Sequence, residues 1–179
     1  LAGIVICLVI YGLVMLLQKL YRKVNSTSND TPVLLHGLVD GTNGKVIRQD
    51  PNDSGSVTLY RSINESGIAY TYSLWMYIDG KTWSSFDNRW KHVFHKGPRL
   101  AQISSRANEP HRLCPIQCPG LWIHPSKNTL RLYVNTFATN KEYLEIDNLP
   151  VKKWINLVYT QSDFVANVFI NGRLKLSRV

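Results

Sequence analysis

Few side chains in this sequence have the types and spacing for chemistry. His111, Cys114 and Cys118 give a His-x2-Cys-x3-Cys cluster, with His92, His95 and His124 as further nitrogen donors elsewhere. A structural zinc site takes four N or S ligands at tighter spacing than this. Two thiols fall short, so neither a metal nor any other cofactor is expected. The same cysteines could close a small Cys114–Cys118 disulfide loop, or stay free thiols if the domain sits in a reducing compartment. No Cys–His pair or Ser triad is recognisable, and no glycine-rich loop could cradle phosphate. The 5 tryptophans are the other resource, because indole planes suit pyranose rings. Trp75, Trp122 and Trp154 lie in strand patterns and are read as core. Trp83 and Trp90 flank the loop Ser84-Ser85-Phe86-Asp87-Asn88 and are the candidates for a ligand surface, carbohydrate included.

The elements that would carry these residues are strands. Ile68–Ile78 is aromatic and β-branched, with large residues of both parities, which suits a central strand covered on both faces. His92–Lys96 and Leu121–His124 are short candidates. Thr129–Thr136 alternates Leu130, Leu132 and Val134 against Arg131, Tyr133 and Asn135, the pattern of a half-buried strand. Glu142–Asp147 alternates too, with Leu144 and Ile146 opposite Tyr143 and Glu145. Trp154–Thr160 and Phe164–Ile170 form a hairpin across Gln161-Ser162-Asp163. Asn171-Gly172 is the strongest short signal for a type I′ turn into a further strand. Nothing after residue 24 carries a 3.6-residue period. Short, regularly spaced strands over residues 57–179 imply an antiparallel sandwich or barrel. The final residues read as mid-strand, so the fold is expected to be incomplete at this end.

Residues 24–56 are rich in Asn, Ser, Thr, Asp and Gly, punctuated by Pro32 and Pro51. They read as a stalk with one short strand around Val33–Val39. Upstream, Leu1–Leu17 holds no charge and as a helix would cover about 26 Å, close to the roughly 30 Å of a bilayer core. It lacks the polar face of a buried amphipathic helix. It runs straight into Lys19, Arg22 and Lys23 with no small-residue cleavage site, so residues 1–23 read as a transmembrane helix with a basic flank. The positive-inside rule then puts residues 18–179 on the cytosolic side. Sequons at Asn25, Asn29, Asn52 and Asn64 argue the other way, and the charged flank outweighs them. Because the numbering opens on Leu1, it is expected to begin inside a longer or processed chain.

The net charge of +9 favours partners of opposite sign, whether lipid headgroups, an acidic protein or nucleic acid. The basic residues are scattered and form no run of five, so nucleic acid is not expected.

The segments Tyr72–Ile78, Trp90–His95, Pro119–Pro125, Asn128–Arg131, Asn148–Ile155 and Val168–Leu174 follow in an order that resembles laminin-G-like, concanavalin A-like jelly rolls. The version encoded by large nucleocytoplasmic DNA viruses is especially similar, and the likeness covers about residues 57–179. It implies an all-β, antiparallel jelly-roll sandwich behind one N-terminal transmembrane helix. Such a protein would be a structural virion component: a minor capsid protein linking an internal virion membrane to the capsid shell, with the β-domain facing the shell. The implied partners are the lipid bilayer and other capsid proteins, including an acidic surface of a major capsid protein. A membrane-anchored, lectin-like carbohydrate-binding module is the alternative. Laminarinase-type glycosidases of this class carry Glu-x-Asp-x-x-Glu, with carboxylates about 5.5 Å apart. Here Glu145 and Asp147 match, but Pro150 stands where the second Glu must be. Nothing there could protonate a leaving group or activate water, and no enzyme is expected.

Overall fold

The computed structural model describes residues 3, 7, 10–18, 20, 31–59, 62–64, 67–80, 89–101 and 109–179. The chain divides into two compact units, Leu1–Ser62 and Ile63–Val179.

In the first unit Gly3, Cys7, residues 10–18 and Leu20 are helical, and every one of them is exposed. Among the described residues no helix is long and apolar enough to cross a membrane. Lys19, Arg22 and Lys23 lie outside the described residues. Residues 31–59 contain no strand, so the one expected around 33–39 is absent. Local side-chain bonds shape this stretch instead. Asp40 Oδ1 accepts the Thr42 N–H at 2.9 Å, and Asp50 Oδ1 accepts the Asn52 N–H at 3.0 Å. Such Asx turns offer the backbone an alternative to a ladder.

The second unit is an antiparallel β-sandwich with nine strands among the described residues. They are β1 (Ile63–Asn64), β2 (Gly67–Tyr77), β3 (Lys91–His95), β4 (Gly120–Ile123), β5 (Thr129–Val134), β6 (Glu142–Asp147), β7 (Trp154–Ser162), β8 (Val165–Ile170) and β9 (Arg173–Arg178). The helical turn α1 (Pro110–Leu113) interrupts the pattern; four residues are too few to show a period. The sheets run β1-β2-β7-β8-β9 and β3-β4-β5-β6, and the chain crosses between them after β2 and after β6.

Period-2 alternation builds the core. Ile155, Leu157 and Tyr159 on β7 and Ala166, Val168 and Ile170 on β8 pack in one cluster with Leu121, Ile123, Leu130, Leu132, Leu144 and Ile146 of the other sheet. Each fully buried aliphatic side chain contributes about 1.5–3 kcal/mol. On β2 only Tyr70, Leu74 and Met76 join this core, while Thr71, Ser73, Trp75 and Tyr77 are exposed. The strand expected to be covered on both faces is therefore covered on one.

Asn171 and Gly172 both have positive φ, 50° and 75°, as a type I′ turn requires. Asn171 also accepts the Asn156 N–H through its side chain at 2.9 Å. A bulge between Val168 and Phe169 shifts the register of β9.

A second, smaller cluster lies on the outer face of the four-stranded sheet, where Trp90, Leu113, Trp122 and Tyr133 pack together. Gln117 locks the overlying loop. Its Nε2 donates to Cys114 O at 2.9 Å, and its Oε1 accepts the Trp122 Nε1–H at 2.7 Å. A Cβ at position 120 would stand 1.9 Å from Gln117 Oε1, so any side chain there must displace Gln117.

Candidate functional site

The outer face of the four-stranded sheet centres on Arg131. Strand register sets His92, Trp122, Arg131 and Glu145 in one row across β3, β4, β5 and β6. The Arg131 guanidinium lies 4.1 Å from the ring centroids of both Trp90 and Tyr143. Its Nε and Nη2 reach Glu145 Oε1 at 2.8 and 2.7 Å, and its Nη1 donates to the Tyr133 hydroxyl at 3.1 Å. Glu109 adds a longer ion pair at 3.7 Å. His124 packs edge-on against Trp90 at 4.8 Å.

Trp90 is only 9% exposed as a result. It was expected on a ligand surface, but it fills the space beneath Arg131 and has no open ring face to offer. Its expected partner Trp83 lies outside the described residues. The two acids of the glycosidase-like motif are both engaged: Glu145 by Arg131, and Asp147 by the Thr129 hydroxyl.

His92 and His95 form a hydrogen-bonded pair on the same sheet. Pro98 O can only accept, so His95 donates to it through Nε2–H at 2.8 Å. That leaves His95 Nδ1 to accept from His92 Nε2–H at 2.8 Å when both rings are neutral. His92 also packs on Trp122 at 4.7 Å. Crowding by neighbouring protein atoms, with His95 beside it, lowers the His92 pKa to about 4.

Cys114 and Cys118 are free thiols. The disulfide alternative is not formed, because each sulfur is engaged in its own direction. Cys114 Sγ donates to Ile116 O at 3.2 Å, while Cys118 Sγ lies 3.2 Å from the Tyr70 hydroxyl. Burial pushes the Cys114 thiol up. Burial, with Tyr159 and Cys118 alongside, also holds Tyr70 far above the ordinary phenol range. Among the described residues no group of three or more His, Cys, Asp or Glu is placed to hold a metal ion.

The open face is the outer side of the five-stranded sheet. Trp75 is 66% exposed, Trp154 50% and Tyr77 49%, which corrects the expectation that Trp75 and Trp154 are core. Tyr77 and Trp154 are register partners, with ring centroids 5.6 Å apart and planes tilted by 55°. Beside them the row Ser73, Val158, Phe169, Leu174 crosses four strands. Asn156 lies between the aromatic positions, its Nδ2 3.4 Å from Ser73 Oγ and from Leu74 O. A signal for this face is present in the sequence, because Trp75 and Tyr77 share the parity of Thr71 and Ser73.

The second unit is thus a two-sheet antiparallel β-sandwich with one outer face closed by a packed loop and one open. No family model, curated protein or solved structure matches this chain.

Proposed function

We propose that this chain is a membrane-anchored structural protein, in which residues 1–23 hold the β-sandwich beside a bilayer. The observation that supports it is the helix at residues 10–18 and 20. Its Ile10, Tyr11, Leu13, Val14, Met15, Leu16, Leu17 and Leu20 side chains stand between 44% and 65% exposed, on every side. A helix apolar all round has no favourable place in water. Transfer of that surface into hydrocarbon gains roughly 25 cal/mol per Å². Lys19, Arg22 and Lys23 then mark the interface, with the sandwich on the cytosolic side.

The two-sheet connectivity is read as a concanavalin A-like jelly roll. With the laminin-G-like resemblance, the role that fits is a minor capsid protein bridging an internal virion membrane and an acidic surface of the capsid shell. The excess of positive charge supplies the attraction. The role is mechanical, and Glu145 and Asp147 serve Arg131 and Thr129 in place of a substrate. The lectin-like alternative would draw on Trp75, Tyr77 and Trp154. The tilted Tyr77–Trp154 pair and the already occupied Asn156 amide give a sugar ring neither a flat platform nor a ready hydrogen-bond partner.

The test is isolation of the detergent-solubilised full chain together with its shell proteins at low and high salt. Co-purification that weakens as salt rises is the expected result. Salt-independent binding to immobilised glycans, lost in Trp75→Ala and without any shell association, would replace this role with the lectin one.

A further inference from the structure

The outer face of the five-stranded sheet carries an aromatic cluster at the end where β2 pairs with the start of β7, with basic residues beside it and on the edge strand. Trp75, Tyr77, Trp154 and Leu174 are all exposed there. Lys152 and Lys153 lead directly into Trp154, and the edge strand β9 carries Lys175 at its bulge, all three of them exposed. Arg173 and Arg178, register partners of the core residues Ile170 and Ala166, belong to the other face. The four long strands β2, β7, β8 and β9 contain no Asp or Glu. Among the described residues, Asp79 follows β2 and Asp163 sits in the β7–β8 turn, while Glu142 pairs with Arg178 at 3.6 Å.

Trp and Tyr, each with an apolar body and a polar edge, are the side chains enriched at the headgroup level of bilayers. Basic residues beside them gain from anionic lipid. We propose that this face docks onto the surface of a bilayer rich in anionic lipid. Trp75, Tyr77 and Trp154 enter the headgroup layer, while Lys152, Lys153 and Lys175 lie over the lipid phosphates and carboxylates. The inference rests on the anchored reading, which keeps the sandwich at high effective concentration over the membrane.

An acidic protein could also answer the charge, but two features favour lipid. Lysine is depleted in protein interfaces, yet it supplies all three cations named. The exposed indoles also stand beside short side chains, Ser73 and Asn156. A soft headgroup layer accepts such projections without a matching socket.

The experiment reconstitutes the full chain in phosphatidylcholine nanodiscs, with and without phosphatidylserine, and quenches tryptophan emission with brominated lipid. Quenching should be stronger with phosphatidylserine and return to the phosphatidylcholine level in the Trp75→Phe/Trp154→Phe chain. Lys152→Gln and Lys153→Gln should each lower the docked-to-undocked ratio by about fivefold. All four side chains lie outside the core, and an unchanged β-sheet circular dichroism spectrum checks that each variant is folded.

Incorporation with equal quenching in both lipids overturns the docking and leaves the anchor intact. Should the chain fail to enter the discs, the anchor falls, and quenching of the same protein on brominated phosphatidylserine vesicles still decides the docking. Cross-links between copies through this face, or its protection by a poly-glutamate peptide with no lipid quenching, would overturn the proposal in favour of a second copy or an acidic protein.

Discussion

Replacing Arg131 by Lys keeps the charge and removes the plane, which isolates what the stack contributes. The guanidinium is 4.1 Å from both Trp90 and Tyr143, and the Arg131 side chain is 15% exposed. A cation–π contact contributes about 0.5–1 kcal/mol when exposed and about 2 when desolvated. A lysine ammonium can sit over one ring but not between two. Loss of the double Nε/Nη2 contact with Glu145 adds about 0.5 kcal/mol, a small sum because Glu145 is 38% exposed and rehydrates. Arg131→Lys should therefore cost about 2 kcal/mol. Arg131→Ala should cost about 4, since it also uncovers Trp90. Urea unfolding of the full chain in mild detergent, followed by tryptophan emission, reads both values. With a slope of about 2 kcal/mol per molar, the Lys variant should unfold about 1 M earlier. Its Trp90 should also become more accessible to acrylamide. A midpoint shift below about 0.25 M with unchanged quenching would refute the reasoning, because Trp90 would then be buried by something other than the stack.

Three further outcomes follow from the same geometry. Gly120→Ala sets a Cβ against Gln117 Oε1, so it must displace the buried Gln117–Trp122 hydrogen bond. It should lower stability by about 3 kcal/mol, read as a fall in Tm. His92 binds its proton near pH 4 when folded and near 6.5 when unfolded. Between these values only the unfolded chain is protonated, so stability falls as pH drops from 6.5 towards 4 and is regained as pH rises. The exposed ring edge limits the effect to about 1 kcal/mol, and the difference in Tm between the native chain and His92→Gln across that range measures it. Cys114, buried and held as the neutral thiol, should resist iodoacetamide at pH 7.5 in the native state and react fully in urea; mass spectrometry of the labelled peptide decides.

Local signals in the sequence carried through to the structure. Glu142–Asp147 was legible at both ends because Leu144 and Ile146 alternate cleanly against Tyr143, Glu145 and Asp147. The β8–β9 turn was legible because Asn171-Gly172 is selected by backbone conformation alone. The existence of the central strand β2 was legible, but its faces were not. Side-chain volume at Trp75 and Tyr77 suggested burial, whereas the parity they share with Thr71 and Ser73 pointed outward, and parity prevailed. Trp154 likewise keeps the parity of Asn156 and Thr160. Trp90 was misread for a different reason: Arg131, distant in the chain, covers it, and no local pattern records that contact. The spacing of Cys114 and Cys118 was equally mute about sulfur direction: the Cys114 thiol meets the Ile116 carbonyl and the Cys118 thiol the Tyr70 hydroxyl.

Alkaline carbonate extraction followed by flotation, comparing the full chain with one lacking residues 1–23, tests the anchor most directly. High pH and salt remove proteins held only by surface charge, so the intact chain should float with the bilayer and leave it only in detergent, while the shortened chain stays in the aqueous fraction. An intact chain released by carbonate alone would contradict the anchor and, with it, the bridging role.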